Sequence, residues 1–188
     1  MRTYLRAVLV ATAIGAAYFA ATGARAYSPF SAPAASGTAA PEFTGIDQWL
    51  NSPPLTMRSL RGKVVLVDFW TYSCINCINT LPYVKQLHEK YKDQGLVVVG
   101  VHTPEYPFEK STANVQAALK RFDIRYPVAQ DNSYATWTAF NNQYWPAEYL
   151  IDADGRIVYQ HFGEGRYAET EAAIQKLLAE RRPAQPTR

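Results

Sequence analysis

The chain contains two cysteines, Cys74 and Cys77, separated by two residues. Two thiols at this spacing can close a disulfide with each other or supply half of a zinc site. They follow an apolar run, Val64–Trp70, which predicts a buried strand, and they open a segment with helical periodicity. A thiol at the first turn of a helix faces unpaired N–H groups and the positive end of the helix dipole, and both stabilise its thiolate. The pattern predicts redox chemistry, with Cys74 as the exposed nucleophile and Cys77 as the resolving thiol.

A zinc site or a structural bridge accounts less well for the two cysteines. A zinc site needs two further ligands, and the three histidines, His88, His102 and His161, stand at no finger-like spacing. A purely structural bridge over two residues closes almost no loop, so it would contribute little stability. We therefore expect thiol–disulfide exchange that uses neither a cofactor nor a metal.

The first 26 residues have the pattern of a secretory signal. A basic start with Arg2 and Arg6 leads into an apolar stretch, residues 7–22, and then into Ala24-Arg25-Ala26, an A-x-A cleavage site. The stretch is also close to the length of a membrane span, so an uncleaved N-terminal anchor is the alternative. Both interpretations place the rest of the chain outside the cytoplasm, in a bacterial periplasm or an equivalent compartment.

Charge and composition limit the remaining function classes. The chain has 188 residues, 19 Lys+Arg against 16 Asp+Glu, and a formal net charge of +3. That surplus lies entirely in the signal segment, which predicts no nucleic-acid surface. Residues 27–42 are rich in Ser, Ala, Pro and Gly and predict a flexible linker, while residues 183–188 predict a polar tail. One folded domain is expected over residues 43–182.

The predicted elements alternate between strands and helices. A small hairpin that turns around Arg61-Gly62 is expected to lead the domain. The patterns that follow predict, in chain order, strand Val64–Trp70, a helix from Cys74 to Lys92, strand Leu96–Val101, helix Ser111–Phe122, strand Tyr126–Ala129, helix Tyr134–Phe140, a hairpin of Glu148–Ile151 and Arg156–His161, and helix Ala168–Glu180. This order is typical of an α/β domain with a central mixed sheet flanked by helices.

The segment from Val67 to Cys77, VDFWTYSCINC, resembles a thioredoxin active site, and more narrowly that of the exported TlpA/DipZ-like thioredoxins, or redoxins. Asp68 stands six residues before Cys74, where thioredoxins keep a buried acid. Pro82 stands five residues after Cys77, at the position of a helix-kinking proline. The resemblance implies a thioredoxin-like fold with an N-terminal hairpin and an added helix in the long stretch between residues 101 and 122.

The resemblance also implies roles for individual residues. A carboxyl group within an apolar strand should have a raised pKa, and the resemblance makes Asp68 the base for the resolving thiol. No lysine stands on the following strand, where many thioredoxins place its partner. Trp145-Pro146 corresponds to the cis-proline loop that pairs with substrate, and Trp70 and Tyr72 are expected to form an apolar rim around the thiols.

The implied activity is exchange with disulfide-containing exported proteins, more in the reducing than the oxidising direction. A membrane electron donor of the DsbD/CcdA type would restore the dithiol. Two alternatives use the same fold. Thr71 and Cys74 match the T-x-x-C of peroxiredoxins, although Val67 stands where that family has proline, and a Sco-like copper carrier would use both cysteines and His161. Ser73 is expected to cap the helix that follows. His102 and Glu105 follow the end of a strand, where ligands tend to bind; their polarity is attributed to a loop, and a role in proton transfer is the alternative.

Overall fold

The computed structural model describes residues 37–181. The predicted signal segment, most of the predicted linker and the polar tail lie outside the described residues. Between residues 37 and 181, no helix is both long and apolar enough to cross a membrane.

Seven strands form one mixed sheet in the order β1-β7-β6-β3-β4-β5-β2. The central strand β3 is parallel to β4 and antiparallel to β6, which confirms the predicted α/β class with a mixed sheet. The strands are Thr38–Ala39 (β1), Gln48–Leu50 (β2), Val64–Trp70 (β3), Leu96–His102 (β4), Val128–Gln130 (β5), Ala147–Ile151 (β6) and Arg156–Phe162 (β7). The helices are Ile75–Tyr91 (α1), Thr112–Phe122 (α2), Ala135–Ala139 (α3) and Tyr167–Glu180 (α4).

Strand β3 divides the interior into two cores. All seven of its residues are buried, and successive side chains point to opposite faces of the sheet. Leu66 and Trp70 pack into the core that contains Cys77, whereas Val67 and Phe69 pack into the core on the other face. Burial of each large apolar side chain contributes roughly 1.5–3 kcal/mol, so the strand that leads into the cysteines is firmly held.

The leading hairpin is a wrong prediction. β1 pairs with β7 at one edge of the sheet and β2 pairs with β5 at the other, so the two N-terminal strands do not meet. The segment around Arg61-Gly62 forms successive turns, in which the Leu60 N–H donates to the Thr56 carbonyl. Each N-terminal segment instead satisfies the unpaired backbone groups of an edge strand, which a hairpin could not do for both edges.

The boundary of the predicted linker also differs from the structure. Thr38 and Ala39 already belong to the sheet, in register with Ile157 and Arg156 of β7. The segment of residues 40–47, here named the strap, joins β1 to β2, and Ala40, Phe43 and Ile46 pack against the Val67–Phe69 core. A flexible linker would make no such apolar contacts. The folded domain therefore begins before Phe43.

Candidate functional site

Cys74 is the residue that caps α1. Its backbone is extended, and its Sγ accepts a hydrogen bond from the Cys77 N–H at 3.3 Å. The expectation that Ser73 caps the helix is therefore wrong: the Ser73 hydroxyl donates to Glu109 Oε1 at 2.6 Å. The Cys74 sulfur occupies the capping position, and the Ser73 hydroxyl is engaged by Glu109 instead.

The two thiols have opposite electrostatic environments. Cys74 is half-buried, and a hydrogen bond from the Cys77 thiol, assisted by the amides of Asn76 and Cys77, lowers the Cys74 pKa from 9.0 to about 7. Cys77 is 1% exposed. Burial, followed by its hydrogen bond to Cys74, raises the pKa of the Cys77 thiol. At neutral pH a substantial fraction of Cys74 is therefore an accessible thiolate while Cys77 stays a buried thiol, as a nucleophile and a resolving group require.

Asp68 lies on the sheet face that carries the Cys77 core. It is 1% exposed, and among the described residues its Oδ1 has no hydrogen-bond partner. Burial, then the charges of Glu148 and Cys74, raise the pKa of Asp68 well above its ordinary value. The predicted upward shift is confirmed in direction, and the role of Asp68 as a base stays a prediction.

Glu148 is a second buried acid that the sequence analysis did not identify. It is 3% exposed and lies directly opposite Asp68 in the β3–β6 register. The Thr170 hydroxyl lies 3.1 Å from Glu148 Oε2. Burial raises the pKa of Glu148 from 4.5 to about 7. The available signal was one acidic residue inside the otherwise apolar strand Ala147–Ile151, but only the register shows what it faces.

The proline loop is held between strands and aromatic rings. The Trp145–Pro146 peptide bond is cis, as the resemblance implied. The Trp145 indole N–H donates to the Thr103 carbonyl at 3.0 Å, and its ring lies 4.1 Å from that of Trp137. Trp145 and Cys74 both pack against the same core. Trp145 is only partly buried, so this loop reaches the surface of the domain.

The two predicted rim residues have different environments. Trp70 is fully buried, with its ring 5.3 Å from that of His102, so its assignment to the rim is wrong. Its position in the strand directs it into the buried core that also contains Cys77, so it offers no surface to a substrate. Tyr72 is half-buried beside Cys74 and packs against the same core. Its ring stacks on His102 at 5.6 Å, and its hydroxyl donates to the Phe108 carbonyl at 3.0 Å, which orients Tyr72 at the edge of the site.

His102 ends β4 and is fully buried, so its attribution to loop polarity is wrong. Its Nε2 lies 3.3 Å from the Thr71 hydroxyl. Burial lowers the pKa of His102 from 6.5 to about 4, so the ring is neutral at pH 7. A neutral ring provides a flat surface under Tyr72 without placing a second charge beside Cys74. Glu105 is exposed, as a loop residue should be.

Glu109 anchors the loop before α2 to the residues that precede Cys74. This buried carboxylate accepts from the Ser73 hydroxyl at 2.6 Å and from the N–H groups of Glu105 and Tyr106 at 2.6 and 2.9 Å. Burial raises the pKa of Glu109, but hydrogen bonds from Ser73, Thr71 and the loop amides outweigh it and hold the pKa below its ordinary value. Hydrogen bonds within this chain thus stabilise the charged form of Glu109.

No group of three or more His, Cys, Asp or Glu side chains in residues 37–181 is arranged to hold a metal ion.

Known proteins are similar to this domain in sequence and in fold. The Redoxin family model matches residues 35–178. Protein DipZ of Mycobacterium tuberculosis is 54% identical over 147 residues, which are 77% of this chain and 21% of DipZ, so the chain spans about a fifth of that relative. The thiol-disulfide oxidoreductase YkuV of Bacillus subtilis is 32% identical over 74% of this chain and 94% of its own. A solution structure of an oxidised thioredoxin-like protein matches with a TM-score of 0.70 and 32% identity, covering 78% of this chain and 98% of the other.

Proposed function

The chain belongs to the redoxin family and has a thioredoxin-like fold, and from that membership we propose that it is a thiol-disulfide oxidoreductase whose redox-active dithiol is formed by Cys74 and Cys77. The observation that carries this proposal is the contrast between the two thiols. The Cys77 N–H donates to the Cys74 sulfur at 3.3 Å, and of the two residues Cys77 is buried whereas Cys74 remains partly accessible. Such a pair suits nucleophilic attack by Cys74 followed by attack from Cys77, rather than a permanent structural disulfide.

In the reducing direction, which we propose as the physiological one, the Cys74 thiolate attacks a disulfide in a protein substrate. One substrate sulfur leaves as a thiolate and the other remains bonded to Cys74. The Cys77 thiol then loses its proton to the buried acid Asp68 and attacks Cys74. The Cys74–Cys77 bond forms, the second substrate sulfur leaves, and two electrons have moved from the protein to its substrate.

The substrate side of the proposal uses the surface around Cys74. The backbone of the half-buried Trp145 would pair with an extended substrate segment, while the half-buried ring of Tyr72 would contact its side chains. We propose disulfide-containing exported proteins as substrates, because residues 1–26 have the pattern of a signal or N-terminal anchor. A membrane donor of the DsbD/CcdA type would then reduce the dithiol after each turnover.

A redox titration tests the dithiol and its direction. The protein would be equilibrated in buffers of defined thiol–disulfide ratio, and the alkylated thiols counted by mass. A two-electron couple at about −270 mV or below is the expected result for a reductant, whereas one near about −120 mV would mark an oxidant and overturn the direction. Cys74→Ser and Cys77→Ser are the matched controls. Absence of a reversible bridge in the unsubstituted protein would refute the proposal as a whole.

A further inference from the structure

We propose that Glu148 is the terminal proton acceptor for Cys77, acting through Asp68, and that Thr170 and Tyr159 connect Glu148 to the protein surface. The inference rests on the proposed dithiol function and adds a positioning residue to it. It makes the base behind Cys77 a pair of carboxyl groups with an exit route, rather than a single acid.

The first step is the placement of the two acids. Asp68 and Glu148 are directly opposite on the antiparallel strands β3 and β6, so their Cβ atoms are about 4.5–5.5 Å apart. Both are almost completely buried, and their neighbours Leu66 and Leu150 belong to the Cys77 core, which fixes the face on which they lie. Two carboxylates so close in an apolar interior cannot both be ionised, so the pair retains at least one proton.

The second step is the distribution of that proton. Glu148 has a hydroxyl partner that stabilises its charged form, whereas Asp68 Oδ1 has no partner among residues 37–181. The proton therefore resides on Asp68 and the negative charge on Glu148. Asp68 can accept the Cys77 proton only by passing its own to Glu148. The acceptor for the resolving step is consequently the pair, with Asp68 between the thiol and Glu148.

The third step is the route outward. The Thr170 hydroxyl lies 3.1 Å from Glu148 Oε2 and 3.2 Å from the Tyr159 hydroxyl. Because a hydroxyl carries one proton, Thr170 donates to the Glu148 carboxylate while it accepts from Tyr159. Thr170 is buried, and Tyr159 on β7 is half-buried, so this chain of oxygens leads from the interior toward solvent. Protons can move along these hydroxyls in either direction, so the route can restore the protonation state of the two acids after each turnover.

Other polar groups face the pair from the elements around it. Cys77 approaches from α1, and the Tyr126 hydroxyl, which has no partner within the described part of the chain, approaches from the segment before β5. His161 on β7 is the register partner of Glu148, and its Nε2 lies 3.3 Å from the Glu164 carbonyl. None of these groups is a lysine or arginine, so no fixed positive charge neutralises the two acids.

The proton and electron balance of the resolving step is complete. Cys77 loses its proton to Asp68 as Asp68 gives its proton to Glu148. The Cys77 sulfur forms a bond to Cys74, and the bond from Cys74 to the substrate breaks, so the substrate sulfur leaves with the electron pair. Glu148 ends neutral and releases its proton through Thr170 and Tyr159. The substrate disulfide is the oxidant, and solvent protonates the departing thiolate.

The test separates the two chemical steps with a chromogenic aromatic disulfide mixed with the reduced protein. The first release of coloured thiol reports attack by Cys74, and the second reports attack by Cys77. We expect Glu148→Gln to leave the first phase unchanged and to slow the second by about 100-fold. In the unsubstituted protein the second phase should accelerate as pH rises through about 7, and this inflection should vanish in the variant.

Further variants make the result decisive. Thr170→Val should slow the second phase and Thr170→Ser should restore it; this pair also decides the outcome if Glu148→Gln fails to fold. If the two acids act in series, the double variant Asp68→Asn/Glu148→Gln should be no slower than Asp68→Asn alone. An unchanged second phase in Glu148→Gln and Thr170→Val would refute the relay, and so would a faster one, because that would show Asp68 acting alone. If the unsubstituted protein lacks a second phase, the dithiol proposal itself fails.

Discussion

Glu148→Gln should make the reduced protein more stable at neutral pH. Burial raises the pKa of Glu148 from 4.5 to about 7 without a countercharge, so its ionised form is penalised in the folded state. Glutamine has nearly the same shape, and its amide oxygen can accept the Thr170 hydroxyl that now contacts Oε2. The substitution therefore removes the ionisation without opening a cavity or leaving Thr170 unpaired.

The magnitude and sign follow from proton linkage. A shift from 4.5 to about 7 corresponds to roughly 3 kcal/mol at about 1.4 kcal/mol per pH unit. Below pH 4.5 the Glu148 carboxyl is protonated in both the folded and the unfolded chain, so its burial does not lower the free energy of unfolding. Between the two values the unfolded chain releases its proton first, and stability falls as pH rises. The gain from Glu148→Gln should thus be near its full size at pH 8 and small near pH 4.5.

Urea unfolding of the reduced protein at these two pH values measures this difference. Glu180→Gln is the matched control, since Glu180 is an exposed carboxylate whose nearest ion pair, to Lys176, spans 4.0 Å. Its effect on the free energy of unfolding should be within about 0.5 kcal/mol at both pH values. Equal stability of Glu148→Gln and the unsubstituted protein at both pH values would refute the argument that burial penalises this charge.

Three further outcomes are expected. Cys77→Ser should accumulate a mixed disulfide between Cys74 and substrate, visible as an adduct by mass, whereas Cys74→Ser should form none; adducts in both would contradict the assigned order of attack. Glu109→Gln should lower the free energy of unfolding by about 2 kcal/mol at pH 7, because it loses charge-assisted hydrogen bonds. Near pH 4 the loss should be smaller, since the charge of Glu109 contributes less there. Equal losses in urea unfolding at both pH values would argue against a charged Glu109. The His102 ring should titrate at about 4 in NMR spectra, and titration near 6.5 would show that it is solvated.

The sequence was most informative where a pattern is long and repeated. Strand β3, helix α1 and the β6–β7 hairpin lie within two residues of their predicted bounds, because burial on both faces or on one helical face leaves a clear signature. The CxxC and the Trp145-Pro146 loop were likewise identified from residue types at fixed spacing.

The sequence was least informative where partners are distant along the chain. β1 and β2 have two and three residues, too few for any periodicity, and their pairing depends on edge strands about 80 to 120 residues away. Glu148 and Glu109 could not be assigned because each is explained by a neighbour that only the tertiary register supplies. Ser73 is a good capping residue by type, but Glu109 competes for its hydroxyl.

The strap also sets a limit on length. Its Ala40 and Asp47 N–H groups donate to Gly155 and Gln130, at opposite edges of the sheet. Crossing six inter-strand spacings takes about 29 Å, and the nine backbone steps from Ala39 to Gln48 reach about 30 Å when extended. The strap also bends at Gly45, whose φ is 63°, so it has little length to spare. Removal of one residue from it should free an edge strand, so its residue count determines whether both edges stay closed to other chains.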